Sequence, residues 1–374
     1  MTAAAALERA IDSALAERRI VGCVVMLAEA GRLVYVRAAG MADREAGRAM
    51  CEDSWLRYAS VSKPFTTVAA LRLMDMGRLS ALDPVTRWLP DFAPALADGS
   101  RPVITLDQLM SHQAGLDYRF NQPEGGPYAR AGVSDGIGET GITLADNLRR
   151  IASVPLDHAP GLRWRYSVAS DVLGAVIAAA ADRPLPEAMA WLVTDPLGIE
   201  AGFSVPDPAR LAANYADARP EPRRMRGPTR IANPLRPELH YCYLPERILD
   251  PAAFPSGGGG MAGTAGAVMV LLDCLQGGSF LSEGMRAAAL ANRIRQRHPM
   301  CGPGWGHAWA GAVLTDAARA GIGLPEGVLG WGGIYGHSWL IDPARRRTLL
   351  ALTNTAVEGV NGGFATEIAA AAAL

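Results

Sequence analysis

The sequence predicts an α+β fold in which one antiparallel sheet is built from both ends of the chain. Near the start, residues 20–28 and 32–39 are β-rich runs on either side of Glu29-Ala30-Gly31, a turn signal typical of a hairpin. From Ser60 to about Asp195 the apolar pattern is mostly helical, with Pro- and Gly-rich connections. Runs of β character return in the last third. Strands at both ends around a helical middle indicate a sheet flanked by helices, with a helical region inserted.

This order of elements divides the chain into two predicted domains. With 374 residues the chain can bury a large core and form more than one domain. We expect residues 1–55 and 262–374 to form the sheet domain, and residues 56–261 to form the mostly helical domain.

The other elements follow the local pattern along the chain. In the stretch Met1 to Arg19 the acidic residues Glu8, Asp12 and Glu17 are closely spaced, which predicts an amphipathic helix. Residues 121–138 predict a polar, Gly-rich loop. Residues 205–256, rich in Pro and Arg with little periodicity, predict an irregular excursion of the kind that often carries function. The predicted helices are 106–111, 143–152, 171–181, 185–193, 265–275 and 364–374, and the predicted strand runs are 306–314, 330–341 and 348–353.

Charge and composition exclude several classes of function. Lys and Arg number 36 and Asp and Glu 37, so no basic footprint for nucleic acid is expected. The chain contains no run of about 18 apolar residues, so no membrane span is expected. The stretch Met1 to Arg19 lacks the basic and apolar segments of a signal peptide. Five scattered cysteines without a C-x-x-C pair predict reduced thiols in a cytoplasmic protein. Cys and His show no metal-ligand spacing, so we expect neither a metal nor another cofactor.

The stretch Tyr58-Ala59-Ser60-Val61-Ser62-Lys63-Pro64-Phe65 carries the most informative chemistry. Ser60 and Lys63 are three residues apart, so a helix that begins at Ser60 would place the hydroxyl and the amine on one face. Serine is a favoured N-cap, and Pro64 is tolerated in a first turn. Only two charged residues lie between Pro64 and Gly77, a natural C-cap, which predicts a buried helix.

A serine and a lysine at the start of a buried helix can act as a nucleophile and its base. A serine hydroxyl is a weak nucleophile until a base takes its proton, and burial suits a lysine to that task by disfavouring its charged form. The positive end of the helix dipole also favours negative charge on the serine oxygen. Because S-x-x-K is short enough to occur by chance, it needs support from other motifs.

Three further stretches bear on Ser60. Tyr166 stands just before an Ala-rich helix, where a phenol near a lysine ammonium could pass protons, or could simply be packed. Residues 330–339 mix glycines into a strand-like run, which suits the backbone of an oxyanion hole but equally a bulge or a tight turn. His112 precedes a turn glycine within residues 109–116, and we expect its hydrogen bonds to fix that loop.

These four motifs, in this order, resemble the serine β-lactamase-related esterases. These enzymes are the family VIII carboxylesterases, which are similar to class C β-lactamases and to D-alanyl-D-alanine carboxypeptidases, and S-x-x-K is a signature of their superfamily. Asp83-Pro84-Val85, Pro196-Leu197-Gly198 and residues 257–264 extend the resemblance over nearly the whole chain. It implies a β-lactamase/penicillin-binding-protein-like fold with the active site between the two domains, and a serine carboxylesterase that works through an acyl-enzyme.

The resemblance also implies a role for each matching residue. Ser60 is the expected nucleophile, Lys63 its base partner and Tyr166 the proton relay. The backbone N–H groups of Ser60 and Ile334 are expected to form the oxyanion hole. The residues expected to contact the substrate are Trp331, Gly332, Gly333 and Val168.

Two positions depart from the β-lactamase pattern. Val168 replaces the Asn of Tyr-x-Asn, and Trp331-Gly332-Gly333 replaces Lys-Thr-Gly on the strand beside the site, where the esterase branch often has Trp. The lysine of that strand would attract a substrate carboxylate, and Trp331 cannot. We therefore expect a small neutral ester with a short acyl chain as substrate, and weak or no β-lactamase activity.

Two other motif matches lack their structural context. Gly132-Val133-Ser134-Asp135-Gly136 fits the G-x-S-x-G nucleophile elbow, but no strand pattern precedes Ser134. Residues 258–263 fit G-x-G-x-x-G without an apolar strand before them, so a dinucleotide site is not expected. Those glycines are expected to let a loop run close beneath the acyl pocket.

Three alternatives to hydrolysis of an ester stay open at the level of sequence. The first is an acyltransferase that passes the acyl group to an alcohol or amine. The second is a peptidase or amidase acting on D-amino-acid substrates. The third is a non-catalytic, penicillin-recognising module, against which Ser60, Lys63 and Tyr166 argue. The physiological substrate, the alcohol group and the oligomeric state do not follow from the sequence.

Overall fold

Strands from the two ends of the chain pair into one eight-stranded antiparallel sheet. The computed structural model describes residues 2–234, 236–296, 298 and 300–372. The sheet order is β11-β12-β13-β14-β15-β1-β2-β3, and three smaller sheets hold the other strands. The strands are β1 Gly22–Glu29, β2 Arg32–Asp43, β3 Arg48–Ala49, β4 Leu56–Arg57, β5 Ala201–Gly202, β6 Tyr215–Ala216, β7 Arg223–Arg224, β8 Thr229–Asn233, β9 Arg236–Tyr243, β10 Ala262–Gly263, β11 Trp305–His307, β12 Ala312–Leu314, β13 Leu329–Gly333, β14 His337–Asp342, β15 Arg347–Thr353 and β16 Thr355–Ala356.

Helices pack on both faces of the large sheet and fill the middle of the chain. Helices α1 and α13 pack against each other, and α9 packs on β1 and β15. Among the described residues, no helix combines the length and apolar character needed to cross a bilayer. The helices are α1 Ala3–Ala16, α2 Ser62–Asp75, α3 Leu106–Met110, α4 Pro127–Arg130, α5 Leu144–Ala152, α6 Ala169–Ala181, α7 Leu185–Met189, α8 Asp195–Leu197, α9 Ala265–Cys274, α10 Glu283–Leu290, α11 Ala317–Ala320, α12 Glu358–Asn361 and α13 Gly363–Ala372.

Strand β1 shows why the sheet needs helices on both faces. It pairs with β2 on one side and β15 on the other, and its side chains alternate between two apolar cores. Val24 and Met26 point into the large core that contains α2. Cys23 and Val25 point into a second core under α1 and α13. This period-two alternation is what a strand buried on both faces requires, and it confirms the predicted sheet built from both chain ends.

Helix α2 is the buried centre of the molecule. Eleven of its fourteen residues are buried, and Gly77 ends it with φ of +69°. The predicted start at Ser60 is wrong by two residues. Ser60 lies in a 3₁₀ turn, Ala59–Val61, and the α-helix begins at Ser62. The turn continues directly into the helix, so Ser60 and Lys63 still lie within one turn of each other.

Two predictions about strands need correction. Residues 205–256 are less irregular than predicted, because β8 and β9 pair as an antiparallel hairpin. In β9, Leu239, Tyr241 and Tyr243 are buried on alternate positions, a period-two signal that the surrounding prolines and arginines obscure. The predicted runs 306–314 and 330–341 each contain two antiparallel strands, β11 with β12 and β13 with β14. The second run reverses at Gly336, whose φ of +108° suits glycine alone.

Candidate active site

The backbone around Ser60 is held in a strained turn that projects its side chain into a cavity. Ala59 has φ of +45°, a left-handed conformation that residues with a Cβ seldom adopt. Tyr58 anchors the turn on its other side: its N–H donates to the Met261 carbonyl at 2.9 Å, and its phenol donates to the Thr264 carbonyl at 2.7 Å. Strain of this kind persists where the surroundings fix it, and it is common at active sites.

Ser60, Lys63 and Tyr166 meet at this turn. The Lys63 Nζ donates to Ser60 Oγ at 3.2 Å, and Tyr166 Oη lies 2.7 Å from the same oxygen. Lys63 Nζ also donates to the Gly258 carbonyl at 2.7 Å and lies 4.8 Å from the centre of the Tyr166 ring. The structure therefore brings together the three residues that the sequence predicted as nucleophile, base partner and relay.

This cluster can move a proton away from the serine. Both the amine and the phenol oxygen are within hydrogen-bonding distance of Ser60 Oγ, which is the first requirement for a general base. Lys63 is 7% exposed, so the interaction between the two groups takes place largely out of water.

The strand next to Ser60 brings a second backbone segment close to the hydroxyl. An ideal Cβ on Gly333 would lie 2.3 Å from the Tyr58 carbonyl oxygen, so only glycine lets β13 approach the turn. Ile334 follows Gly333, and its carbonyl accepts a hydrogen bond of 2.9 Å from Tyr243 Oη. Within the described chain, no hydrogen bond is donated by the N–H of Ser60 or Ile334. Both N–H groups remain predictions for an oxyanion hole.

Trp331 lies where the β-lactamase pattern has a lysine. Its Nε1 donates to Tyr166 Oη at 3.3 Å, and the two rings lie 5.1 Å apart. Behind them the rings of His298 and His307 pack edge-on against Trp331. Trp331 therefore presents an apolar, uncharged wall to the site and restrains the phenol.

His112 supports the same phenol from below. Its ring packs edge-on against Tyr166 at 4.9 Å, and its Nδ1 lies 3.4 Å from Ser167 Oγ. Burial and the nearby Lys63 charge lower the pKa of His112 well below its usual value. A neutral, buried histidine with these contacts fixes a loop, as predicted, and does not reach Ser60.

A cavity of about 640 Å³ opens from Ser60 and runs over β13 and β14 to α13. Its described walls are mostly aromatic and aliphatic. On the side of α13 the wall consists of small side chains at helical spacing. Trp305, Trp331 and Trp339 line the cavity, whereas Trp55 and Trp309 lie in apolar cores. Residues that line it include Phe120, Tyr241, Met300, Cys301, Ile322, Leu324, Ile334, Leu340, Val360, Ala365 and Ala369.

The predicted substrate contacts divide into two groups. Trp331 and Gly332 line the cavity next to Ser60. Gly333 is buried against the nucleophile turn, and Val168 is fully buried in the large core at the start of α6. Neither of these two residues is part of the described cavity wall, so their effect on a substrate is indirect.

The two motif matches without context have structural roles. Ser134 is 1% exposed and lies outside the cavity wall, and its Oγ accepts a hydrogen bond from Gly136 N–H. Helix α4, not a strand, precedes it. The Gly-rich stretch passes beneath Lys63 and offers it the Gly258 carbonyl. That position agrees with the prediction of a loop running close under the site.

Two aromatic walls of the cavity were missed in the sequence. Phe120 stacks on Tyr118 at 4.5 Å, and Tyr241 packs edge-on against Phe120 at 5.2 Å. Phe120 belongs to a segment predicted to lie at a loop boundary, and Tyr241 belongs to the excursion predicted to be irregular. The alternation of apolar residues in β9 is the sequence signal that could have located Tyr241.

The chain is similar to known proteins over nearly its whole length. Residues 7–374 match the family described as Beta-lactamase. The chain is 46% identical over 361 residues to the esterase EstB of Burkholderia gladioli, covering 96% of this chain and 92% of EstB. It is similar to the solved structure of "EstCE1, a hydrolase with promiscuous acyltransferase activity", with TM-score 0.97 and 42% identity over 100% of this chain and 98% of the other.

A more distant relative is a transferase. The chain is 29% identical over 232 residues to the monacolin J acid methylbutanoyltransferase of Aspergillus terreus, covering 56% of this chain and 54% of that one. Together the matches confirm the predicted family resemblance, the β-lactamase-like fold and the class of enzyme, a serine hydrolase of the esterase type. The roles of the individual site residues stay predictions.

Proposed function

The chain belongs to the Beta-lactamase family, and from that premise we propose that it hydrolyses neutral carboxylic esters through an acyl-Ser60 intermediate. The observation that carries the proposal is the meeting of Ser60 Oγ, Lys63 Nζ and Tyr166 Oη at the end of an apolar cavity. A nucleophile in contact with an amine and a phenol that can exchange its proton is the arrangement that covalent acyl transfer needs.

The proposed reaction has two halves of the same kind. Ser60 Oγ passes its proton to the Lys63–Tyr166 pair as it attacks the ester carbonyl carbon, and the carbonyl oxygen becomes an oxyanion beside the N–H groups of Ser60 and Ile334. When the oxyanion collapses, the bond to the alcohol oxygen breaks and the alcohol leaves with that proton. Water then attacks acyl-Ser60 in the same way and releases the acid.

The charge of the site favours a neutral substrate. No lysine or arginine is among the described residues of the cavity wall, since Lys63 lies beneath Ser60 and outside that wall. Trp331 occupies the position from which a cation would bind a carboxylate. Moving a carboxylate into such a wall without a partner is unfavourable, which supports the proposal of weak or no turnover of β-lactams.

The position of Tyr166 suggests which half of the ester occupies the long arm of the cavity. In the proposed reaction the leaving alcohol takes its proton on the side of Ser60 where Tyr166 lies. On that side the cavity continues past Tyr166 and Trp331 toward Trp305 and α13. We therefore place the alcohol group in the long apolar arm and a short acyl chain between Ser60 and the Phe120–Tyr241 wall. EstB is named an esterase and EstCE1 a hydrolase, and this chain is similar to both over nearly its whole length, which supports an ester as substrate.

Acyl transfer to an alcohol is the second candidate. An apolar arm that holds the leaving alcohol can hold an acceptor alcohol in its place, and the transferase activity named for EstCE1 and for the Aspergillus relative supports this reading. Hydrolysis and transfer share acyl-Ser60, so they differ only in what attacks it. Product analysis with a competing alcohol separates the two.

A two-way ester panel tests the proposal. One series varies the acyl chain of p-nitrophenyl esters, and the other varies the alcohol of butyrate esters, with nitrocefin and a D-alanyl peptide measured beside them. We expect kcat/KM to fall with acyl length, to tolerate large apolar alcohols, and to be lowest for nitrocefin and the peptide. Labelling of Ser60 by a fluorophosphonate is expected as well. A chain that neither labels nor turns over any ester would instead be a binding module.

A further inference from the structure

Asp171 is a buried carboxyl that the mechanism above does not use. It lies in the first turn of α6, five residues after Tyr166, and is fully buried. Its Oδ1 accepts hydrogen bonds from Ser256 Oγ at 2.5 Å and from the Gly258 N–H at 3.3 Å. Its Oδ2 is buried and has no hydrogen-bond partner in the described chain. A carboxylate with one unpaired oxygen is costly to bury unless a charge nearby stabilises it.

Gly258 connects this carboxyl to Lys63. Its N–H donates to Asp171 Oδ1, and its carbonyl accepts the hydrogen bond of 2.7 Å from Lys63 Nζ. An ideal Cβ on Gly258 would lie 2.7 Å from Asp171 Oδ2 and 3.1 Å from Tyr118 Oη, so only glycine lets the loop pass here. The Gly258 peptide therefore binds the Lys63 amine through its carbonyl and the Asp171 carboxylate through its N–H.

The groups around Lys63 indicate which of them can stabilise its ammonium form. Within the part of the chain that the structure describes, Tyr118, Tyr166 and His112 are also close to the amine, and burial keeps His112 neutral. Burial raises the pKa of the Asp171 carboxyl, while the hydrogen bond from Ser256 and the Lys63 charge oppose that shift. Asp171 is thus the acidic group whose ionised form and the Lys63 ammonium stabilise each other.

A second cation also faces Asp171. The Arg247 guanidinium is buried, donates to the carbonyls of Phe254 and Glu139, and opposes the raised pKa of Asp171 through its charge. A carboxylate that merely neutralised Arg247 would be structural. The two hydrogen bonds of Gly258 favour a role for Asp171 at the active site over a purely structural one, because they connect Asp171 to Lys63 and not to Arg247.

We propose that Asp171 is a positioning residue for the base: through the Gly258 peptide it aims Lys63 Nζ at Ser60, and its negative charge balances the ammonium that forms when Lys63 takes a proton. The proposal rests on the serine mechanism described under Proposed function.

Asp171→Asn is the decisive variant, with Ser256→Ala as its matched control. Asparagine retains an oxygen for Ser256 and Gly258 and removes the charge, whereas Ser256→Ala retains the charge and removes one donor. We expect Asp171→Asn to lower kcat by about 10- to 100-fold, a usual cost of misplacing a reacting group, with KM changed less than about threefold. Ser256→Ala should lower kcat less.

The pH dependence of kcat separates a positioning role from a structural one. Losing a nearby negative charge disfavours the ammonium form of Lys63, so the acid limb of the profile should move to lower pH in Asp171→Asn and stay in place in Ser256→Ala. A uniform loss of activity with an unmoved limb would make Asp171 a partner of Arg247 only and overturn the proposal. If Asp171→Asn does not fold, Asp171→Ser serves as the second variant without the charge, and an unmoved acid limb in it overturns the proposal equally.

Fluorophosphonate labelling of Ser60 keeps this inference separate from the proposed function. Wild-type protein that is not labelled at Ser60 would contradict the serine mechanism itself. If the wild type is labelled and Asp171→Asn is labelled at the same rate across the pH range, the serine mechanism stands. Only the proposed role of Asp171 is then contradicted. We expect slower labelling of Asp171→Asn, with its rise displaced to lower pH.

Discussion

Two serines of this chain sit in motifs that serine hydrolases use, and their surroundings differ in almost every respect. Ser60 lies in a turn that continues into α2, faces a large cavity, and has an amine and a phenol within hydrogen-bonding distance. Ser134 is buried in a loop after α4, and Asn147 binds its backbone from both sides. A nucleophile is therefore defined by the groups around its oxygen, not by the glycines around it in sequence.

The residues around Ser134 show what its motif does instead. Asp135 accepts hydrogen bonds from the N–H groups of Arg119 and Phe120, at 2.8 Å and 3.1 Å. An ideal Cβ on Gly136 would lie 2.1 Å from Ser256 Oγ. The glycine and the acid of this motif thus pack a loop that carries Phe120, one wall of the cavity. The match to G-x-S-x-G reflects the needs of a tight loop rather than of catalysis.

Exchanging each serine for alanine gives the largest expected difference between the two regions. Ser60→Ala should lower kcat for an ester by a factor of about 10⁴ or more, because groups of a catalytic cluster act as a unit. Ser134→Ala should stay within a few-fold of the wild type. Steady-state kinetics with p-nitrophenyl butyrate measure both. An inactive Ser134→Ala beside an active Ser60→Ala would invert the assignment and point to an α/β-hydrolase mechanism.

The next effect concerns the groups that only Ser60 has around it. Tyr166→Phe removes one hydroxyl, so the fold should persist while kcat falls by roughly 10²–10⁴, the usual contribution of acid–base catalysis. Lys63→Ala should lower kcat at least as much. Circular dichroism provides the control for folding. Near-normal ester turnover by Tyr166→Phe would show that Lys63 alone takes the serine proton.

A smaller effect is expected where the cavity wall departs from the β-lactamase pattern. Trp331→Lys places a cation next to Ser60, and a charge-assisted hydrogen bond to a carboxylate contributes about 1.5–3 kcal/mol, or about ten- to a hundredfold in binding. Nitrocefin turnover relative to p-nitrophenyl butyrate should rise by that factor, with Trp331→Phe as the uncharged control. An equal rise in Trp331→Phe would mean that size, and not charge, keeps β-lactams out. Wild-type protein that turns over nitrocefin as fast as the ester would contradict the proposed neutral substrate.

The sequence predicted the fold well where a run of residues has a distinct composition and clear ends. The β-rich runs of the hairpin β1–β2 and of the last third lie in the large sheet, and the charge-poor stretch that ends at Gly77 forms helix α2. The hairpin β8–β9 was missed because its alternation is short and prolines and arginines surround it. Local pattern also could not show that residues 330–341 reverse at Gly336, since glycine serves strand and turn alike. The domain limits at 55/56 and 261/262 stay predictions.

The site was predictable to the extent that it depends on neighbours in sequence. Ser60 and Lys63 are one turn apart, and the motif order located Tyr166. Phe120, Tyr241 and the Gly258 carbonyl come from distant segments that only tertiary packing brings to Ser60. Val168 was placed at the substrate by resemblance, but packing places its side chain in the core. Contacts between remote segments are the part that residue pattern alone does not contain.

The smallest expected effect on activity belongs to Asn147, which holds Ser134 in place. Its Oδ1 accepts the Ser134 N–H at 2.8 Å, and its Nδ2 donates to the Ser134 carbonyl at 3.0 Å, with the amide fully buried on α5. Asn147→Ala leaves two buried backbone groups unpaired, each of which costs about 1–3 kcal/mol. We therefore expect the free energy of unfolding to fall by about 2–6 kcal/mol, while kcat at low temperature stays near that of the wild type. Urea denaturation measures the first quantity and ester turnover the second, with Ser134→Ala as a control that retains both backbone hydrogen bonds. A loss of kcat in the folded Asn147→Ala protein would mean that the Ser134 loop takes part in catalysis, and the distinction between the two serines would then be one of degree.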